Sequence, residues 1–101
     1  MIEIWQWSFI ETDCDECSNG KYIQLAGTCT GDSRFYDGAY IITSRIISSY
    51  GRSIVTQNGT HYLLKGEPSK YWVEDMELIG EKINYENPLG TFFNRREVSI
   101  K

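Results

Sequence analysis

The residues of this sequence best suited to hold a metal ion are its cysteines and its single histidine. Together they form a complete set of three thiols and one imidazole, a composition used by structural zinc sites: Cys14, Cys17, Cys29 and His61. The Cys-x-x-Cys spacing of the first pair suits a zinc knuckle. The other two ligands occur singly, on separate predicted strands, so a second closely spaced pair is missing. We therefore expect neither a bound metal nor another cofactor.

The same spacing of Cys14 and Cys17 occurs in redox proteins, but the strand–helix–strand context of a thioredoxin-like pair is missing. Three cysteines cannot all pair within one chain. The first ten residues carry neither a basic segment nor a small-residue cleavage site, and no apolar run approaches membrane-spanning length. These features predict a cytoplasmic protein in which Cys14 and Cys17 are reduced and Cys29 is a small buried hydrophobe.

Enzymatic chemistry has little support in the sequence. His61 follows a predicted hairpin turn, and nothing near it in the chain prepares a nucleophile. The acidic residues are predicted to be exposed neighbours, which lack the desolvation that separates the pKa values of a catalytic acid and base. We predict that the protein is not an enzyme.

Charge and aromatic content favour a protein-binding role instead. The chain of 101 residues has a net charge of −4 and 14% aromatic residues, and its acidic residues are clumped. Such a surface repels nucleic acid and attracts cationic proteins, although solvated faces that maintain solubility are the alternative. The predicted partner-binding residues are Asp13, Asp15, Glu16, Tyr71, Trp72, Glu74, Asp75 and Glu77.

The loop at residues 31–38, GDSRFYDG, allows two interpretations. Arg34 beside Phe35 and Tyr36 resembles an interface anchor. Alternatively, Asp32 and Asp37 bind nearby backbone N–H groups and Arg34 pairs with them, which is the ordinary behaviour of such loops. We favour the structural interpretation.

Hydrophobic residues recur with the period of two that is typical of strands. In the first strand, Trp5, Trp7 and Phe9 are predicted to share one face. This strand and a second at 21–30 are predicted to form an antiparallel hairpin whose tip is the segment TDCDECSNG.

Residues 39–50 form the next predicted strand, rich in β-branched side chains. Asn58-Gly59 predicts a type I′ hairpin turn. Ser69 is predicted to start a short helix, in which Trp72, Met76 and Ile79 occur at helical spacing. Residues 91–100 are predicted to form a last strand. The whole chain, 1–101, is predicted to be a single all-β or β-rich domain with at most one short helix. Its antiparallel sheet of about six strands should curl into a small barrel or sandwich.

Residues 27–68 resemble a pattern found in small uncharacterised bacterial and phage-borne proteins. The matching features are a Gly-x-x-Arg-Phe-x-x-Gly loop, a Thr-Ser strand, a Thr-x-x-Gly-x-x-Tyr hairpin and a Gly-x-Pro turn. The resemblance implies a β-rich fold in a mobile-element or defence setting, where short acidic proteins often inhibit a larger partner. It implies no catalytic residues.

Composition and resemblance together predict a non-enzymatic immunity protein that neutralises a basic bacterial toxin, such as a nuclease or a tRNA-directed toxin. Toxins of this kind need a basic surface to hold phosphate, and a small acidic protein can occupy it. The alternatives are a phage-encoded, anti-CRISPR-type inhibitor of a defence nuclease and a zinc-stabilised structural domain. No direct contact with nucleic acid or membrane is expected.

Overall fold

The computed structural model describes residues 1–17 and 20–90 as a five-stranded barrel with one helix packed against it. The elements are β1 Ile2–Asp13, β2 Lys21–Thr30, β3 Ala39–Tyr50, β4 Ser53–Thr56, β5 His61–Lys65 and α1 Lys70–Leu78. The predicted β-rich barrel with one short helix is confirmed, as is the β1–β2 hairpin. The strand predicted for 91–100 lies outside the described residues.

The barrel closes through a parallel pairing of β1 with β5, in which Ile2 lies opposite Tyr62 and Ile4 opposite Leu64. All other neighbouring strands are antiparallel. Because five successive strands alternate in direction, the first and the last run the same way, and closing the sheet forces them to pair in parallel. The sheet was predicted to be antiparallel, and this seam is a parallel exception to that prediction.

The inward faces of the strands form the hydrophobic core. Trp7, Ile23, Leu25 and Cys29 have no exposed surface, which confirms the predicted burial of Cys29. Further buried members are Ile4, Phe9, Ala39, Ile41, Ile46, Ile54, Tyr62, Leu64, Trp72, Met76 and Leu89.

A bulge in β1 changes which side chains face the core. The register with β2 shifts between Trp5 and Ser8, and Gln6 adopts a positive φ of 50°. The extra residue interrupts the alternation of faces, so Trp5 is 39% exposed while Trp7 is fully buried. The prediction that Trp5 shares a face with Trp7 and Phe9 is therefore wrong.

The β4–β5 hairpin forms at the predicted place but with a different turn. The Gly59 N–H donates to the Thr56 carbonyl at 2.9 Å, and the Thr56 N–H donates to the Thr60 carbonyl at 3.1 Å. Of Asn58 and Gly59, only Gly59 has a positive φ, at 83°. This is a three-residue loop with glycine in the left-handed position rather than the predicted type I′ turn.

Helix α1 begins after Ser69, as predicted, and ends in a Schellman motif. The Gly80 N–H donates to the Glu77 carbonyl at 3.1 Å, and the Glu81 N–H donates to the Met76 carbonyl at 2.9 Å. The start of the helix is tied to the barrel because the Ser69 N–H donates to the Trp7 carbonyl at 2.7 Å. This bond places the first turn of α1 beside the β1 bulge.

Candidate functional site

An open groove of about 590 Å³ lies between the start of α1 and the outer faces of β1, β2 and β3. Trp5 and Tyr40 both pair with Thr28 across the sheet, so the two rings flank a small side chain. Tyr71 contributes a third ring from α1. We call Trp5, Tyr40 and Tyr71 the aromatic groove. Its volume falls in the range of ligand-binding pockets. The exposed fractions are 39% for Trp5, 66% for Tyr40 and 78% for Tyr71.

The β1 bulge creates the groove by turning Trp5 out of the barrel. Gln6, which also lines the groove, has its positive φ at the centre of the bulge. A non-glycine residue in the left-handed region costs about 1–2 kcal/mol. Backbone strain of this kind clusters at functional sites, and here it coincides with an exposed tryptophan.

Helix α1 presents an acidic outer face next to the groove, consisting of the exposed residues Glu74, Asp75 and Glu77. The helix has no acidic residue in its first turn and no basic residue in its last. Acidic groups are stabilising near a helix N-terminus and unfavourable near its C-terminus. Helix stability therefore does not explain these three carboxylates.

Trp72, predicted to be a partner-binding anchor, belongs to the core instead. Its side chain is only 9% exposed, and its ring lies 6.0 Å from that of Trp7 and 5.4 Å from that of Phe9, measured between centroids. The prediction is wrong because helical periodicity turns Trp72 and Met76 inwards. Tyr71, one position earlier, remains exposed as predicted.

The second predicted acidic cluster lies at the tip of the β1–β2 hairpin. Asp13, Asp15 and Glu16 are exposed, and Asp13 forms an ion pair with Lys21 at 3.4 Å. Asp13 is eight positions from Trp5 along β1, which corresponds to about 26 Å of extended strand. The tip and the acidic face of α1 are thus separate surfaces.

The hairpin tip also contains a disulfide between Cys14 and Cys17, whose Cα atoms are 5.4 Å apart. The prediction that both cysteines are reduced is wrong in this structure. Cys29 is free and buried, and burial raises the pKa of its thiol. His61 lies exposed on β5. Within residues 1–17 and 20–90, no three histidine, cysteine or carboxylate side chains converge on a point where they could hold a metal ion.

The loop before β3 follows the structural interpretation of Arg34. Asp32 is buried and accepts hydrogen bonds from the Arg34 side chain at 3.0 Å (Nε) and 2.6 Å (Nη2), and from the Arg34 backbone N–H at 3.0 Å. Asp37 accepts from the Gly31 N–H at 3.0 Å. The bonds from Arg34 hold the pKa of Asp32 below its ordinary value, and the same pairing raises the pKa of Arg34.

Asp32→Asn is expected to lower stability in a pH-dependent way. The pKa of Asp32 is lower in the folded than in the unfolded state, so its charge stabilises the fold above the unfolded pKa and ceases to do so as the pH falls through the folded pKa. Urea unfolding of both proteins should show the largest difference near pH 7 and a shrinking difference below about pH 4. Asp37→Asn, which removes a carboxylate from the same loop, is the control. A difference that stays constant from pH 7 to pH 3 would contradict the assignment.

The sequence prediction missed Trp5, Gln6 and Tyr40. The alternation of β3, which places Tyr40 and Ile42 opposite the buried Ala39 and Ile41, was a signal for Tyr40. Trp5 had no such signal because its outward direction depends on the bulge.

Comparisons with protein-family models, with curated proteins and with solved structures give no match to this chain. The family resemblance of residues 27–68 stays a prediction. In the described part of the chain, no helix combines the length and the apolar character needed to cross a bilayer.

Proposed function

We propose that this protein is a non-enzymatic, cytoplasmic immunity protein that binds and neutralises a basic toxin acting on nucleic acid. The observation that carries the proposal is the position of Tyr71, which lines the aromatic groove and starts the exposed face of α1 that bears Glu74 and Asp75. Aromatic contact area and negative charge therefore form one continuous surface.

The chemistry of this surface suits a cationic protein partner. Enzymes that bind nucleic acid carry Lys and Arg where they hold phosphate. The carboxylates of α1 would speed encounter with such a surface, and the rings of the groove supply the desolvated contacts that slow dissociation. Arginine also stacks well on aromatic faces, so a basic partner can use both parts of the surface.

Neutralising the acidic face of α1 is expected to weaken toxin binding. The probe is the toxin encoded by the neighbouring open reading frame, with nuclease activity and calorimetric affinity as readouts. The variant Glu74→Gln/Asp75→Asn/Glu77→Gln should bind about tenfold more weakly, mainly through a slower on-rate that is sensitive to salt. Tyr71→Ala should instead speed dissociation.

The matched control is Asp13→Asn/Asp15→Asn/Glu16→Gln, which removes the same net charge from the hairpin tip. If this tip variant loses as much affinity as the α1 variant, α1 is not the docking surface. If the wild-type protein fails to inhibit the neighbouring toxin, the immunity function is refuted. A neighbouring phage operon in place of a toxin gene would favour the inhibitor of a defence nuclease.

A further inference from the structure

The disulfide at the hairpin tip is in contact with a positive charge from a different strand. Arg45 extends from β3, and its Nη1 lies 3.6 Å from the Sγ of Cys17. The Nε of Arg45 is buried and has no hydrogen-bond partner among residues 1–17 and 20–90. Both cysteines are half-buried, so the sulfur atoms remain reachable from solvent.

The contact between Nη1 of Arg45 and Cys17 is weak while Cys17 belongs to a disulfide, because a disulfide sulfur carries no charge and accepts hydrogen bonds weakly. Reduction would turn Cys17 into an anion at the same place. A thiolate beside Arg45 gains a charge-assisted hydrogen bond from the Nη1 group. The reduced form, with the charge on Cys17, is therefore the form that this contact stabilises.

Other charges near the tip act in both directions. Asp13, Asp15 and Glu16 on the tip, together with Glu11 on β1, oppose a thiolate, while Lys21 on β2 favours it. The tip carboxylates are exposed and screened by solvent and salt, and Asp13 is already paired with Lys21. Arg45 differs from them because it touches the sulfur directly in a partly buried setting. The contact with Arg45 should therefore dominate.

We propose that Cys14 and Cys17 form a thiol–disulfide exchange site that takes two electrons from a dithiol, with Cys17 as the leaving thiolate held by Arg45. A thiolate of the dithiol bonds to the Cys14 sulfur, the bond between Cys14 and Cys17 breaks, and its electron pair leaves on Cys17. The second thiol of the dithiol then attacks the sulfur of the same molecule that is bonded to Cys14 in the mixed disulfide. This step releases Cys14, which takes the second thiol's proton, and the dithiol departs as a cyclic disulfide.

This exchange site is independent of the proposed toxin inhibition, because it lies at the far end of β1 from the aromatic groove. It also accounts for a disulfide in a protein proposed to be cytoplasmic. Disulfides in that compartment are usually transient and take part in catalysis or redox sensing.

Arg45→Gln is expected to slow reduction of the disulfide by dithiothreitol. Without the guanidinium, the leaving thiolate loses its charge-assisted hydrogen bond and the rate falls about threefold to tenfold. The measurement is the loss of the disulfide over time, followed by mass after acid quenching, with circular dichroism confirming that the variant folds. Lys21→Gln is the matched control, since it removes one positive charge from the hairpin that carries the disulfide and leaves the contact between Arg45 and Cys17 in place.

Alkylation of the reduced wild-type protein gives a second test that needs no variant. At pH 6, iodoacetamide should modify Cys17 about tenfold faster than Cys14, as read by peptide mass spectrometry. Equal alkylation rates, or equal slowing of reduction by Arg45→Gln and Lys21→Gln, would overturn the proposal.

Discussion

Trp72→Ala is expected to lower the free energy of unfolding by about 3–5 kcal/mol, whereas Tyr71→Ala should change it by no more than about 0.5 kcal/mol. The two aromatic residues are adjacent in α1, yet one is 9% exposed and the other 78%. The pair of variants therefore measures which of them belongs to the core.

The large effect at Trp72 follows from what its ring contacts. It packs against the rings of Trp7 and Phe9, which themselves lie 5.9 Å apart, so the three rings form one cluster between α1 and the barrel. Removing the indole leaves a cavity and deprives α1 of its ring contacts with Trp7 and Phe9 of β1. A nine-residue helix is too short to be stable alone, so α1 should fray in this variant.

Denaturant unfolding followed by circular dichroism measures both effects. Trp72→Phe is the conservative control and should recover part of the loss, because a smaller ring still fills some of the space. If Tyr71→Ala were as destabilising as Trp72→Ala, the assignment of Trp72 to the core and Tyr71 to the surface would be incorrect.

Gly27→Ala is expected to destabilise the barrel by about 3 kcal/mol, at the upper end of the usual range for overpacking. A Cβ atom at Gly27 would lie 2.5 Å from Ile4 Cγ2 and 2.8 Å from the Trp5 carbonyl oxygen. The second of these is a backbone atom of the β1 bulge, which cannot move aside without disturbing the pairing with β2. The substitution should therefore shift the bulge and with it the ring of Trp5.

Thermal unfolding and tryptophan fluorescence together test this expectation. Gly38→Ala is the matched control, because Gly38 has a φ of 93° and a Cβ atom added there would meet no other atom within 4 Å. The free energy of unfolding of Gly38→Ala should fall only by the backbone cost of about 1–2 kcal/mol, and its tryptophan emission should be unchanged. Equal losses from the two variants, with unchanged emission in both, would show that close packing of the bulge on Gly27 is not needed.

Local patterns in the sequence were sufficient for most of the secondary structure. Alternation predicted the β1–β2 hairpin, β-branched residues predicted β3, Asn58-Gly59 located the β4–β5 hairpin, and the spacing of Trp72 and Met76 located α1. Each of these signals acts over a few neighbouring residues, where the chain's own propensities decide the conformation. The Asp32–Arg34 pair was predictable for the same reason, since its partners are two positions apart.

The acidic character of the surface was also determined by the sequence, because it depends only on composition. The sequence did not determine which way those charges face. The separation of the hairpin tip from α1 depends on the length of β1, and the burial of Trp72 depends on how α1 docks against Trp7 and Phe9.

Only the tertiary structure decided the features that join distant parts of the chain. The parallel seam between β1 and β5 follows from closing an odd number of strands, and the outward turn of Trp5 follows from a bulge that fits against Gly27. The contact between Arg45 and Cys17 joins residues 28 positions apart. Such contacts depend on strand register, which one inserted residue changes for every side chain that follows it.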